Sequence, residues 1–253
     1  MKKLVIFDLD GTLAKSKSPI DKEMAELLRN LLEVQLVSII SGGDWPQFEK
    51  QVLQHLPKTT ILKKLTILPT CGTKFYHYKN KWEELYEENF TEAEKKKILD
   101  SLHSAIKAAN LNIEKTWGEQ IEDRGSQITF SALGQEAPLE AKKGWDPDFE
   151  KRKKIVDRLK KPLQEFSIGM GGTTSIDIVK PGIDKAYGIM KLKEILKIEI
   201  PEMLFIGDAL FKGGNDFPAR KTGMDCIQVR DPEETKRIIE TVIACSNHKP
   251  KDN

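Results

Sequence analysis

The sequence is poor in cysteine and in long apolar runs. Its three cysteines, Cys71, Cys226 and Cys245, are too few and too scattered for a disulfide framework or a cysteine-based zinc site. No stretch approaches the roughly 20 consecutive apolar residues that a membrane-spanning helix requires. The apolar run that follows the two N-terminal lysines is short and breaks at Asp8, so we expect no signal peptide. These absences predict a cytoplasmic protein without a membrane segment.

Neither sign of charge dominates the chain. Its 41 lysines and arginines nearly cancel its 39 aspartates and glutamates, which leaves a net charge of +2 over 253 residues. The lysines lie mostly in mixed-charge stretches such as "EAEKKKILD" and "DFEKRKKIVDRLKK", which are typical of solvated helix faces. The composition therefore gives no reason to expect a nucleic-acid or membrane-surface partner, and we predict neither.

Short apolar runs alternate with helical patterns at both ends of the chain. In the first third, runs at 4–10, 34–43 and 64–72 are separated by amphipathic segments at 21–33 and 44–56. This βαβαβ order predicts a parallel sheet with helices on its faces. The same pattern returns near the C-terminus, where the apolar runs end at Asp208 and Val229.

The middle of the chain has a different pattern. A long helix is predicted at 91–111, an alternating strand at 126–133, a lysine-rich helix at 148–160 and a further strand at 175–180. This order is typical of helices packed on an antiparallel sheet. Because the α/β pattern resumes afterwards, we predict an inserted α+β domain of residues 82–184. The core domain then comprises residues 1–81 and 185–253.

Carboxylates close two of the predicted core strands. Asp8 and Asp10 follow the first strand, Ser41 follows the second, and Asp208 ends "LFIGD". The carboxyl ends of the strands in an open α/β sheet meet at one crevice. Carboxylates that converge there repel one another, and Mg²⁺ commonly binds such groups together with phosphate oxygens. An aspartate at a strand end is also a common turn former, but the attached "DGTL" and the second acidic cluster favour a metal.

These segments resemble the four motifs of the haloacid dehalogenase superfamily. The match comprises "FDLDGTL", "SGG", the lysine of "GIDKAYG" and "IGDALFKGGND", in the order and spacing of that superfamily. The resemblance implies a Rossmann-like core with an inserted α+β cap. Within the insert, "EDRGSQITFSALG" and "SIDIVKPGIDK" are similar to the cap of the subgroup that holds sugar phosphatases and eukaryotic-type phosphomannomutases.

The resemblance implies a nucleophile and a metal site. Asp8 would attack phosphorus and form an aspartyl-phosphate, and Asp10 would act as the general acid and base. The implied Mg²⁺ ligands are the carboxylates of Asp8 and Asp208 and the backbone carbonyl of Asp10. Asp216, in "GGND", would support the metal or hold Lys185, although this segment is also a good turn.

The resemblance also implies residues that bind the substrate. In the core, Ser41 and Gly42 would contact the phosphoryl group. Lys185 would offset its charge, and the "GIDK" spacing favours this lysine over the nearby Lys180. In the cap, the candidates that would hold a phosphate or sugar hydroxyls are Arg124, Ser175 and Asp177. An ordinary cap surface remains the alternative for these three residues.

Departures from the family pattern bear on the reaction. Gln135 and Lys142 stand where the mutases carry cap arginines, and "AKSKSP" replaces the arginine-bearing segment after the first motif. A mutase must hold its sugar with the phosphate at either end, and arginine suits that task best. We therefore predict a Mg²⁺-dependent phosphohydrolase that acts on a small phosphorylated sugar.

Two other functions remain open. The first alternative is a phosphomannomutase. The second is a non-catalytic sugar-phosphate binder, which would not require Asp10. The oligomeric state also stays open between a monomer and a homodimer formed through the cap.

Overall fold

The chain folds into two units. The computed structural model describes residues 2–57, 59–113 and 115–247. The core unit comprises the chain up to Glu87 and from Asp184 onwards, and the inserted unit is Glu88–Ile183. The predicted domain boundary at residue 82 is wrong, because Trp82–Glu87 pairs with Lys74–Tyr78 as a strand of the core sheet.

Strands and helices make up most of the described residues. The strands are β1 (Leu4–Phe7), β2 (Leu36–Ile40), β3 (Leu65–Leu68), β4 (Lys74–Tyr78), β5 (Trp82–Glu87), β6 (Ile121–Asp123), β7 (Gln127–Ser131), β8 (Ser167–Gly171), β9 (Ser175–Val179), β10 (Met203–Gly207) and β11 (Asp225–Gln228). The helices are α1 (Lys22–Val34), α2 (Trp45–Gln51), α3 (Glu92–Ala109), α4 (Leu139–Trp145), α5 (Glu150–Leu159), α6 (Lys185–Leu196), α7 (Phe217–Lys221) and α8 (Pro232–Asn247). No helix within the described ranges combines the length and the apolar composition needed to cross a membrane.

The core unit is built on a mixed sheet. Its described strands follow the order β11-β10-β1-β2-β3-β4-β5. The first five are parallel, as predicted, whereas β4 and β5 form an antiparallel hairpin at one edge. Strand β1 lies between β10 and β2, so the ends of these three strands lie side by side. This arrangement confirms the Rossmann-like α/β class and places the loops that follow the three strands at one edge.

Strand β1 is buried on both faces. Leu4, Val5, Ile6 and Phe7 are each fully buried, which explains their continuous apolar run. Val5 and Phe7 pack into one apolar cluster together with residues of α1 and α8, whereas Leu4 and Ile6 pack into another with residues of α6. Each fully buried side chain of this size contributes about 1.5–3 kcal/mol. The strand that carries Asp8 is therefore fixed from both sides.

The inserted unit has a four-stranded antiparallel sheet with one apolar and one polar face. The strand order is β6-β7-β9-β8. The apolar residues of β7 and β9 pack into a buried cluster with α3 and α5. On the other face, the alternate positions are polar at Gln127, Thr129 and Ser131 of β7 and at Ser175 and Asp177 of β9, and Val179 is an apolar exception. This alternation is the pattern that the sequence predicts for 126–133.

Candidate active site

A buried ammonium joins two carboxylates beside the carboxyl end of β1. Lys185 is the first residue of α6, whose N-cap is Asp184. Its Nζ donates hydrogen bonds to Oδ1 of Asp8 and to Oδ1 of Asp216. All three side chains are almost completely buried. Buried charges are tolerated when they are paired in this way, so each of the three depends on the others.

Asp216 is engaged through both carboxylate oxygens. Its Oδ1 accepts from Lys185, and its Oδ2 accepts from the backbone N–H of Ala209 at 2.9 Å. Its own backbone N–H donates to the Ala209 carbonyl at 3.2 Å, which closes the loop after β10. From the sequence, Asp216 could either support the metal or hold Lys185. Its hydrogen bonds correspond to the second role.

Asp8 keeps one oxygen without a hydrogen bond. Among the described residues, its buried Oδ2 has no hydrogen-bond partner. Carboxylate oxygens of Asp8, Asp208 and Asp216 all lie within 4.8 Å of one another. An orphaned buried oxygen beside further carboxylates fits a hard divalent cation, and Mg²⁺ prefers such ligands.

The electrostatics of this cluster also fit a cation. Burial raises the pKa of Asp8 to about 7 against the attraction of Lys185, and the charges of Asp216 and Asp208 add to the rise. Burial and the charge of Asp216 likewise raise the pKa of Asp208. Burial lowers the pKa of Lys185, but the attraction of Asp8 and Asp216 outweighs it, so its pKa is raised. Lys185 therefore stays charged. Its single positive charge does not balance the negative charges of Asp8, Asp208 and Asp216 when all three are ionised.

Gly11 and Thr12, in the loop after β1, lie in close contact with Asp208. Gly11 has a φ of +91°, and a Cβ at this position would lie 2.6 Å from Oδ2 of Asp208. Thr12 is buried, and its hydroxyl accepts from the backbone N–H of Asp208 at 3.0 Å. Glycine is therefore required by both the backbone conformation and the close approach. These two residues bring the loops after β1 and β10 together.

The carboxylate of Asp10 is held by helix α2. Oδ2 accepts from Nε2 of Gln47 at 2.7 Å. Oδ1 accepts from the backbone N–H of Lys17 at 2.6 Å and from Nε2 of Gln51 at 3.2 Å. Neither glutamine is among the residues predicted from the sequence. They are four residues apart in "DWPQFEKQ", which places them on one face of a helix. This spacing is the feature of the sequence that could have indicated them.

The "SGG" segment follows β2 directly. Ser41 is buried, and its hydroxyl accepts from the backbone N–H of Gly43 at 3.2 Å. Its carbonyl accepts from the N–H of Cys71 at 2.9 Å, in the loop after β3. Apart from its two chain neighbours, no described residue has an atom within 4 Å of a Cβ built on Gly42, so there is open space beside this residue.

The remaining sequence candidates lie in the inserted unit. Oδ1 of Asp177 accepts from Oγ1 of Thr129 at 2.7 Å and from Nε2 of Gln127 at 3.0 Å. Burial raises the pKa of Asp177, against the attraction of Arg124. Nη2 of Arg124 lies 2.6 Å from Oε2 of Glu122. Ser175 shares the polar face with Asp177, two residues away on β9. The predicted cap residues therefore lie on or beside one polar surface.

The comparison with protein families decides where the chain belongs. A sequence model described as eukaryotic phosphomannomutase matches residues 24–245. The chain belongs to this family. A related phosphomannomutase from Schizosaccharomyces pombe (strain 972) is 29% identical over 85% of this chain and 84% of that protein. The matched range includes Lys185, Asp208 and Asp216 and begins after Asp8 and Asp10.

Solved structures share the fold of this phosphomannomutase family member. The truncated, IMP-bound IMP-nucleotidase of Plasmodium falciparum superposes with a TM-score of 0.69 at 18% identity, over 96% of this chain and 68% of that one. A haloacid dehalogenase-like hydrolase from Bacteroides thetaiotaomicron gives a TM-score of 0.63 at 18% identity, over 96% and 100%. These likenesses confirm the fold that the resemblance to the haloacid dehalogenase superfamily implies.

Proposed function

We propose that the chain is a phosphohexomutase of the phosphomannomutase kind, which moves a phosphoryl group between two oxygens of a hexose. The observation that carries the proposal is the buried Asp8–Lys185–Asp216 constellation, in a chain that belongs to the phosphomannomutase family. The prediction from sequence ranked a hydrolase first. The family match and the named relatives reverse that ranking, because they favour the mutase.

The proposed reaction passes through an aspartyl-phosphate. A carboxylate oxygen of Asp8 attacks phosphorus, and the bond from phosphorus to the sugar oxygen breaks. Asp10 gives its proton to that leaving oxygen. In the return step, Asp10 removes a proton from the hydroxyl that takes the phosphoryl group back. Lys185 holds Asp8 in place and offsets the charge on the phosphoryl oxygens, while Ser41 and Gly42 contact those oxygens.

The carboxylates of Asp8 and Asp208 and the backbone carbonyl of Asp10 would hold Mg²⁺. The ion would supply the positive charge that the carboxylate cluster lacks and would bind a phosphoryl oxygen of the substrate. Asp216 supports this site indirectly, because its two oxygens are bonded to Lys185 and to Ala209.

Mg²⁺ is expected to raise the melting temperature of the metal-free protein, and to do so more at about pH 8 than at about pH 5. The raised carboxyl pKa of Asp8, about 7, favours folding at low pH, and this contribution is lost as the pH rises through 7. The bound ion offsets the repulsion that then develops. At a hundredfold excess over Kd, binding stabilises the fold by about 2.7 kcal/mol.

Differential scanning fluorimetry at the two pH values checks this expectation. Asp208→Asn removes one carboxylate ligand with little change of shape, so it should abolish most of the shift. Asp157→Asn is the matched control, because Asp157 lies on α5 in the inserted unit, outside the acidic cluster. An equal shift in the Asp208 variant, or a larger shift at the lower pH, would contradict the proposed site.

The polar face of the inserted unit supplies candidate sugar contacts. Arg124 is buried and can bind a phosphate through its planar guanidinium. Ser175 and Asp177 can accept hydrogen bonds from sugar hydroxyls. A small phosphorylated sugar therefore remains the proposed substrate class.

A second candidate function is a phosphohydrolase, which Gln135 and Lys142 favour. Nζ of Lys142 donates to the backbone carbonyl of Gln135 at 3.4 Å, so the two residues are neighbours. Lysine is a point charge and glutamine is neutral, whereas the sequence resemblance implies arginines at these positions in the mutases. A weaker hold on the distal phosphate would leave the aspartyl-phosphate open to water.

The ratio of isomerised sugar phosphate to inorganic phosphate among the products distinguishes the mutase from the hydrolase. Mannose 1-phosphate, Mg²⁺ and a catalytic amount of hexose bisphosphate are incubated with the protein and followed by ³¹P NMR. A mutase forms the 6-phosphate with little inorganic phosphate, and that is the expected result. Inorganic phosphate as the main product would establish the hydrolase instead. In that case Gln135→Arg should shift the products towards isomerisation.

A further inference from the structure

Gln47 lies between the phosphoryl-binding segment and the acid–base residue. It is the third residue of α2, and its Nε2 donates to Oδ2 of Asp10 at 2.7 Å. On its other side, Oε1 lies so close to Gly43 that a Cβ on that glycine would overlap it. Gly43 in turn donates its backbone N–H to Oγ of Ser41. The side-chain amide therefore connects the loop after β2 to the carboxylate of Asp10.

The other side-chain amide at Asp10, that of Gln51, is shared with a second acceptor. Nε2 of Gln51 makes its shorter bond, 2.6 Å, to the carbonyl of Ser18 and reaches Asp10 only at 3.2 Å. The N–H of Lys17 bonds Oδ1 and leaves Oδ2 to Gln47. Gln51 is fully buried, so its replacement would disturb the loop around Ser18. Gln47 is partly exposed and can be changed with less damage to the fold.

We propose that Gln47 is a positioning residue that holds the acid–base carboxylate of Asp10 beside the phosphoryl-binding loop. This inference rests on the proposed function, in which the proton of Asp10 moves to the leaving oxygen as its bond to phosphorus breaks. A displacement of about 1 Å in such a group can cost about a hundredfold in rate. The loss falls most heavily on leaving groups that need the proton.

If Gln47 positions Asp10, the rate lost on its replacement should depend on how basic the leaving oxygen is. A purely structural role would not produce this dependence. A strongly basic leaving oxygen needs protonation as it departs, whereas 4-nitrophenolate departs readily without it. Phenyl phosphate and 4-nitrophenyl phosphate have similar shapes but differ in this requirement. General damage to the fold or to phosphate binding would lower turnover of both substrates equally.

The test compares kcat/KM for these two aryl phosphates, with Mg²⁺, in the parent protein and in Gln47→Leu. We expect turnover of phenyl phosphate to fall about 10- to 100-fold and turnover of 4-nitrophenyl phosphate to change by less than about threefold. Gln47→Asn, whose amide is one methylene too short to reach Asp10, should behave in the same way. Gln54→Leu is the matched control, since Gln54 is exposed, and should leave both rates unchanged.

Parallel losses on both substrates, no loss on either, or a gain on phenyl phosphate would overturn the inference and leave the proposed function standing. Failure of phosphoryl transfer itself looks different. In that case the parent protein transfers no phosphoryl group from any donor, and Asp8→Asn is indistinguishable from it, which overturns both the inference and the proposed function. A hydrolase outcome in the product test would replace the mutase and leave the inference about Gln47 standing.

Discussion

Asp8→Asn is expected to lower phosphoryl transfer by about 10⁴-fold or more while the fold is retained. An amide oxygen is a poor nucleophile and cannot form the aspartyl-phosphate, so the covalent route is closed. The substitution keeps the shape of the side chain and removes a carboxylate whose ionised form is disfavoured by burial. Lys185 keeps Asp216 as its partner in this variant, so we expect the metal-free variant to remain folded.

Steady-state kinetics and urea denaturation on the same preparation check both parts of this expectation. Asp225→Asn is the matched control, because that carboxylate lies on β11 and its side chain is 75% exposed. It should leave the rate unchanged. A loss of less than about tenfold in Asp8→Asn, or ~1.4 kcal/mol of barrier, would contradict the role of Asp8.

Lys185→Met is expected to lower both stability and activity. The substitution keeps most of the length of the side chain but leaves the buried carboxylates of Asp8 and Asp216 without their shared partner. Breaking a buried ion pair in this way costs about 3–5 kcal/mol of unfolding free energy. Activity should fall by about 10²–10³-fold, because the charge on the phosphoryl oxygens is no longer offset.

A double-mutant cycle with Asp216→Asn separates these two effects. The double variant has one fewer unpaired buried carboxylate, so it should recover part of the lost stability and none of the lost activity. Lys193→Met is the control, since its partly exposed ammonium pairs with the exposed Glu199 at 2.7 Å. It should change stability by less than about 0.5 kcal/mol. An equal cost for the two lysine substitutions would refute the buried ion-pair network.

The convergence of Asp8 and Asp208 could be predicted from sequence. Both follow continuous apolar runs, such runs form buried parallel strands, and the carboxyl ends of neighbouring strands meet at one edge. The position of Lys185 followed only from its resemblance to a motif. Nothing in the local pattern distinguishes a buried lysine from an exposed one, because its burial depends on carboxylates that are distant in sequence.

Strand β5 and the burial of Arg152 could not be predicted, because they depend on tertiary contacts that the local sequence pattern does not show. Strand β5 is rich in charge because it lies at the sheet edge, so its sequence did not resemble a core strand and the boundary was placed too early. The lysine-rich helix at 148–160 was interpreted as a solvated face. Its Arg152 is instead fully buried against Asp146, with Nε 2.7 Å from Oδ2. The same guanidinium donates to the carbonyls of Gly171 and Gly172 in the β8–β9 turn.

That Asp8 carries the phosphoryl group is tested most directly by locating the phosphate on the protein. The chain is mixed with Mg²⁺ and a hexose bisphosphate, quenched in acid within the first turnover, digested and analysed by mass spectrometry. The predicted result is one acid-stable, base-labile phosphate on the peptide that contains "VIFDLDGTL", assigned to Asp8 and missing from Asp8→Asn. A phosphate on another residue, or turnover with no phosphorylated peptide, would contradict it.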